Sequence, residues 1–186
     1  QGTIPAAPVG TKVVYHIEAS TDGNTECSPE VSYTVGEVPI DYTGLALNEL
    51  NGNDKFIEIY NKGKEDIHIK GISIQKDGKD VWTAPSAILK SGEFVLLYST
   101  DVQADHAEHP DGYFFGSGLS AKKAVKVELF DPKGGSLDCF NLVNFVKKAS
   151  ASYSRVPDGT GAWYFTSATP AAKNANETAD KVEGLE

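Results

Sequence analysis

The stretch Leu45-Ala46-Leu47-Asn48-Glu49-Leu50-Asn51-Gly52-Asn53-Asp54-Lys55-Phe56-Ile57-Glu58-Ile59-Tyr60-Asn61 decides the fold. Residues 46–50 and 55–61 are strand-length apolar runs, too short for helices. Between them Asn51-Gly52-Asn53-Asp54 supplies residues that tolerate left-handed backbone and bond their own main chain, which makes a turn. The same grammar continues downstream. Residues 67–75 form a strand that Lys76-Asp77-Gly78-Lys79 turns, and 81–83, 87–89 and 94–98 follow as strands. Residues 125–130 and 136–140 flank Asp131-Pro132-Lys133-Gly134-Gly135, and 152–155 and 163–166 flank Pro157-Asp158-Gly159. Sustained helical periodicity is absent; the nearest stretch, 141–151, has no clean apolar face. Short strands at a spacing of about 8–12 residues, punctuated by turn residues, predict an all-β sandwich. Ile57, Ile59, Ile72, Ile74, Val95, Leu97, Val127 and Leu129 suffice for one interior.

Upstream, Val13, Tyr15, Ile17 and Ala19 alternate with Lys12, Val14, His16 and Glu18, and residues 30–35 alternate again beyond Asp22-Gly23-Asn24. Residues 12–36 are therefore a hairpin. A lone hairpin is marginal in water, so this one is expected to pack on the rest of the chain, on a second copy or on strands upstream of Gln1. A shared or swapped hairpin is one route to a dimer. Residues 38–44, with Pro39, read as a linker. From about Asn174 the sequence has the polarity of a disordered end, and Leu185-Glu186 read as vector-derived. The plan is a hairpin unit (1–37), a linker (38–44), a sandwich (45–174) and a polar tail (175–186). The absence of Met and the initial Gln point to an N-terminus made by processing or cloning.

The composition bounds the function. The 186 residues hold 17 Lys and Arg against 26 Asp and Glu, a net charge of −9. Nucleic acid is not expected as a partner, because phosphate binding needs clustered cations; Lys122-Lys123 and Lys147-Lys148 are pairs, not stripes. No run approaches the roughly 18 apolar residues of a membrane-spanning helix. No signal peptide is legible at the N-terminus. Cys27 and Cys139 permit one disulfide and otherwise read as two partly buried thiols; alone they cannot form a zinc site.

From Leu45 to Asn174 the chain resembles the lamin tail domain family. The resemblance rests on seven ordered pieces. Leu47-Asn48-Glu49-Leu50 is similar to the family's opening strand. Phe56-Ile57-Glu58-Ile59-Tyr60-Asn61, with the turn after it, is similar to the next. Ile69-Lys70-Gly71-Ile72-Ser73-Ile74 follows, then Ile88-Leu89-Lys90-Ser91-Gly92-Glu93-Phe94-Val95 and the hairpin Leu129-Phe130-Asp131 to Leu137-Asp138. Ser154-Arg155-Val156-Pro157-Asp158-Gly159-Thr160-Gly161-Ala162-Trp163 is the longest piece. Ala168-Thr169-Pro170 to Asn174 closes the series. The departures are Ile72 where Trp is usual and Ala171 where Gly is usual. The resemblance implies an immunoglobulin-like sandwich in which Glu49, Glu58, Asn61, Gly71, Arg155, Pro157, Asp158, Gly159 and Trp163 are structural. Residues 12–36 resemble the last two strands of a fibronectin type III or similar immunoglobulin-like domain, whose remainder would lie upstream of Gln1.

Few constellations suggest chemistry. In the loop from Asp105 to Asp111, Asp105, His106 and His109 would suit a zinc- or copper-class ion; the competing reading is a solvated loop, since no third ligand sits at a typical distance. Asn51, Asn53 and Asp54, and likewise Asp77 with Asp80, are oxygen-rich enough for calcium but lack the pattern of a twelve-residue calcium loop. Glu49 and Glu58 are the only core-strand carboxylates placed for acid–base work. Arg155 is expected to point at them and offset their charge. No Gly-x-Ser-x-Gly elbow is present, and Gly116-Ser117-Gly118 precedes no helix. Trp82, Tyr98, Tyr113, Phe114, Phe115, Trp163 and Tyr164 would form either a core or a platform for sugar or peptide. Asn176-Glu177-Thr178 is a glycosylation sequon.

The expected function is a non-catalytic binding or spacer module of a bacterial secreted, periplasmic or cell-surface protein. It would need no cofactor and take a protein or carbohydrate ligand. The alternative that the resemblance implies is an accessory domain of a larger extracellular nuclease or phosphoesterase, with the catalytic residues elsewhere. A eukaryotic lamin is disfavoured, because heptads, a basic localisation run and a prenylation box are absent.

Overall fold

The computed structural model describes residues 2–36, 39–145, 152–175 and 180–186. Lys147-Lys148 and the sequon at Asn176 lie outside them. The chain divides into two compact units, Gln1–Pro39 and Ile40–Glu186.

The N-terminal unit is a hairpin broken in the middle. Strand β1 (Lys12–Tyr15) pairs antiparallel with β4 (Val31–Thr34), and β2 (Glu18–Thr21) with β3 (Asn24–Cys27). Asp22 and Gly23, at φ 46° and 84°, make the tight turn whose twist suits a two-residue hairpin. At the break the main chain of Ile17 and Ser28 still bonds, and Ser28 Oγ also accepts from Ile17 N. Val13 faces Tyr33 and Tyr15 faces Val31, so β1 and β4 share one apolar face. No described residue of this unit is buried, and Ile17 is 65% exposed.

The second unit is the sandwich. Its first sheet has six strands in the order β12–β11–β6–β5–β15–β16, comprising β5 (Leu45–Asn51), β6 (Phe56–Asn61), β11 (Phe94–Ser99), β12 (Phe114–Phe115), β15 (Ser152–Val156) and β16 (Ala162–Thr166). The second has four in the order β14–β13–β8–β9, comprising β8 (Ser73–Lys76), β9 (Lys79–Thr83), β13 (Val125–Phe130) and β14 (Ser136–Leu142). A small pair, β7 (Ile67–His68) with β10 (Ile88–Leu89), and two 3₁₀ turns, Thr100–His106 and Asp111–Tyr113, complete it. Among the described residues all strand pairings are antiparallel except that of β11 with β12. Alternating burial along β11 and β13 sends Val95, Leu97, Val127 and Leu129 into one core with Leu47, Ile57, Ile59, Ile74 and Phe140.

Two features position the site. Strand β5 carries a bulge: Leu47 pairs with Ile59 but Glu49 pairs with Glu58, leaving Asn48 as the extra residue. Core-facing residues on β5 therefore switch phase, from Leu45 and Leu47 to Leu50. Glu49 then shares with Glu58 the face of the sheet turned away from the core.

The second feature corrects the expectation of a disordered end. Residues 180–186 run as a strap joining the two sheets. Phe165 N bonds Asp180 O and Val182 N bonds Trp163 O on β16, while Val143 N bonds Gly184 O and Glu186 N bonds Asn141 O at β14. Val182 is buried and Leu185 packs on the core, so Leu185-Glu186 belong to the fold.

Candidate functional site

Glu49 and Glu58 sit side by side on β5 and β6 with no exposed surface. The segment 167–174 lies over them. Thr169 N donates to Glu49 Oε1 at 3.1 Å, and Ala171 N donates to Glu58 Oε2 at 2.7 Å. The bulged Asn48 donates from Nδ2 to Glu58 Oε1 and to Asp158 Oδ1, each at 3.0 Å, while its Oδ1 accepts from Gly159 N at 2.8 Å. Asn174 locks the cover, with N to Asp158 Oδ1 at 3.0 Å and Nδ2 to the carbonyls of Asn48 and Arg155 at 3.1 and 2.9 Å.

Two buried carboxyls side by side favour protons. Burial pushes Glu58 up to about 8, and the nearby Glu49 and Asp158 add to the rise against hydrogen bonds from Asn48 and Ala171. Burial raises Glu49 as well, against bonds from Ser152 and Thr169, and no cation contributes to either shift. The bonding pattern agrees. Thr169 Oγ1 has one hydrogen but lies 2.8 Å from Glu49 Oε2 and 3.0 Å from Asn174 Oδ1. With Asn174 Nδ2 spent on carbonyls, its Oδ1 is an acceptor. A neutral Glu49 that donates to the Thr169 hydroxyl satisfies both contacts.

Arg155 does not face this pair, which corrects the expected orientation. Ser154, not Arg155, lies opposite Glu49 on β15, so alternation sends Arg155 to the core side. There its guanidinium grips Asp138 with both carboxylate contacts from Nη2, at 2.7 and 2.9 Å. Its Nε donates to Leu47 O at 2.9 Å and Nη1 to Gly161 O at 3.0 Å, and it lies 4.6 Å over the Trp163 ring. Asp138 Oδ2 also accepts from Leu47 N at 2.9 Å. This clamp ties β14 to β5 and β15.

The other expected structural residues fall into turns. Asn61 is buried, donates to the carbonyls of Glu65 and Leu89 and accepts from Gly63 N, which pins the loop after β6. Gly159 has φ +67°, and a Cβ there would meet the Tyr60 ring at 2.7 Å, so no other residue fits after Pro157-Asp158. Gly71, at φ +84°, closes against Pro132.

The imidazoles weighed for metal binding lie against aromatic rings. His106 stacks on Tyr98 with centroids 3.6 Å apart, and His109 donates from Nε2 to Leu96 O at 3.0 Å, edge-on to Tyr98 and Phe114. Asp105 forms no ligand group with them. Asn51, buried on β5, closes its turn by accepting from the backbone of Asn53 and Asp54 and donating to Asp54 Oδ2. Asp77 is likewise engaged, by Lys126 N and Lys76 Nζ, and Asp80 accepts from Gln75. Among the described residues one set of three His, Cys, Asp or Glu side chains lies within ligand reach: His16, Glu18 and Cys27. Both cysteines are free thiols. Trp82, Phe115 and Trp163 are core residues.

An open cleft of about 450 Å³ flanks the covered carboxyls, lined by Tyr60, Val156, Pro157, Asp158, Lys173 and Asn174. Asn48, Asp138, Thr169 and Asn174 stand in the motif pieces that carry the resemblance, but the sequence assigns them no role at the site. The phase slip from Leu45 and Leu47 to Leu50 signals the bulge at Asn48; the contacts of the others depend on the three-dimensional register.

The family model described as Lamin Tail Domain matches residues 40–143. The pieces from Ser154 to Asn174 lie beyond that span. No curated protein matches the chain. No helix among the described residues is long and apolar enough to cross a membrane.

Proposed function

From the premise that this chain belongs to the lamin tail domain family, we propose that it is a non-catalytic binding or spacer module of a bacterial secreted or cell-surface protein. One observation carries the reading. The two carboxyls best placed for acid–base chemistry have no exposed surface and are capped by the backbone N–H groups of Thr169 and Ala171. A general acid must come within hydrogen-bond reach of its substrate, and these two are enclosed by their own chain. They hold the cover in place.

One surface for a ligand is the neighbouring cleft, where Tyr60 and Pro157 stand beside Lys173 and Asp158. An aromatic wall with a few polar groups suits a carbohydrate or a peptide. The net charge of −9 speaks against nucleic acid. Assay of the chain with a chromogenic phosphodiester and magnesium, calcium or zinc tests the reading. Turnover no greater than with metal alone is the expected result. Turnover that disappears in Glu58→Gln would overturn it.

A further inference from the structure

The N-terminal unit has no buried residue among those described, and every residue of β2 and β3 is exposed. Units that cannot build a core are commonly held by a disulfide or a metal. The hairpin contains a single cysteine, Cys27, which is a free thiol. What surrounds that thiol is informative.

Strand register places Cys27 directly across from Glu18. Cross-strand partners project from the same face with Cβ atoms about 5 Å apart. His16 lies two residues before Glu18, at the break between β1 and β2. His16 Nε2 is already 3.1 Å from Glu18 Oε1. The thiol, imidazole and carboxylate ligand atoms all lie within 4.8 Å of one another. On the same face, farther along, Ser20 Oγ and Thr25 Oγ1 are bonded at 2.7 Å, so this ladder holds its register towards the turn.

We propose that His16, Glu18 and Cys27 form a surface site for a zinc-class divalent cation that staples the outer half of the hairpin. The donor set selects the metal. A thiolate with an imidazole favours zinc over calcium or magnesium, which take oxygen ligands. Tetrahedral zinc with bonds of about 2.0–2.3 Å sets neighbouring ligands about 3.3–3.8 Å apart. With all three ligand atoms within 4.8 Å of one another and His16 Nε2 at 3.1 Å from Glu18 Oε1, the set lies within about 1 Å of that spacing. On binding, the Cys27 thiol proton leaves to solvent, and His16 ligates as a neutral imidazole through Nε2 with its one proton on Nδ1. A fourth ligand position remains open to water.

The sandwich contributes none of the three ligands, so the site can be removed without touching the core. The full chain, kept in a phosphine reductant that leaves thiols free, is titrated with cobalt(II) in place of zinc. The expected result is a thiolate-to-cobalt charge-transfer band that saturates at one equivalent and is discharged by zinc. Cys27→Ser should abolish the band, Cys139→Ser should leave it, and His16→Ala should weaken binding at least 10-fold. Zinc should also slow hydrogen exchange in 18–27 of the unsubstituted chain. Absence of the band, its survival in Cys27→Ser, or unchanged exchange in 18–27 would each overturn the proposal.

Discussion

Strand β5 buries all seven of its residues, while β2, β3 and β4 bury none of theirs. Both regions are strands with turns of similar chemistry; Asp22-Gly23 and Asp77-Gly78 even share the same left-handed pair of φ angles. The difference lies in what faces each sheet. Beneath β5 lies the core shared with the second sheet, and above it the cover at 167–174. The hairpin is a single layer. Alternation specifies a strand, but burial comes from the layer that meets it.

Changes around β5 should therefore cost far more than changes in the hairpin. The largest effect is expected from Arg155→Ala, which strands the mostly buried Asp138 and frees the carbonyls of Leu47 and Gly161. Breaking such a pair typically costs about 3–5 kcal/mol, a fall in Tm of roughly 10 °C for a domain of this size. A Tm within two or three degrees of the parent would break the comparison.

The proton on Glu58 comes next. In the fold Glu58 stays protonated up to about pH 8, against an ordinary value of 4.5. The fold thus binds more protons than the unfolded chain between those values. This contribution is whole below about pH 4.5 and is lost as the pH rises to about 8. Denaturant melts from pH 5 to 9 should show stability falling by on the order of 2–4 kcal/mol. Glu58→Gln should flatten that slope. It starts from lower stability, because an amide cannot accept from both Asn48 Nδ2 and Ala171 N. Glu49→Gln should be milder, since its amide can donate to Thr169 Oγ1 as the neutral acid does. An unchanged slope in Glu58→Gln would remove the proton from the account.

Removing the strap by ending the chain at Ala175 exposes the sites that Val182 and Leu185 cover. A loss of about 2–3 kcal/mol is expected by chemical denaturation. An unchanged midpoint would mean that the strap adds nothing. A smaller effect, of opposite sign, is expected at the cover. Ala171 sits at φ +58°, where a side chain is strained. Ala171→Gly should raise stability by about 1 kcal/mol while keeping the bond from its N–H to Glu58. Smallest of all, Ile17→Ser in the hairpin should shift the sandwich melt by less than about 0.5 kcal/mol. A larger shift would contradict this ranking.

Most of this architecture is legible in the sequence, because strand period and turn chemistry are local. Phe56-Ile57-Glu58-Ile59-Tyr60-Asn61 states its own alternation, and the match over residues 40–143 agrees with the motifs. The site is only half legible. Glu49 and Glu58 stand out as carboxyls in core strands, but a strict period of two puts Glu49 on the same face as Leu47. The bulge at Asn48 reverses that, and the slip to Leu50 is its trace in the sequence. The orientation of Arg155 depends on how β15 meets β5, a pairing more than a hundred residues apart that no local pattern encodes. Val182 and Leu185 are two apolar residues in a polar tail; their burial comes from where the sheet edges lie. His16, Glu18 and Cys27 escape notice for the same reason, since only the register of β2 against β3 brings Cys27 to Glu18.

Hydrogen exchange of the full chain, metal-free in the presence of a chelator and read by mass spectrometry, tests the contrast between a sealed sandwich and a hairpin with no buried residue among those described. The amides of Thr169 and Ala171 should exchange only with global unfolding, and those of 18–27 within the earliest time points. Equal and rapid exchange in both regions would contradict the account, for it would mean that the cover opens freely and that Glu49 and Glu58 meet solvent in the native protein.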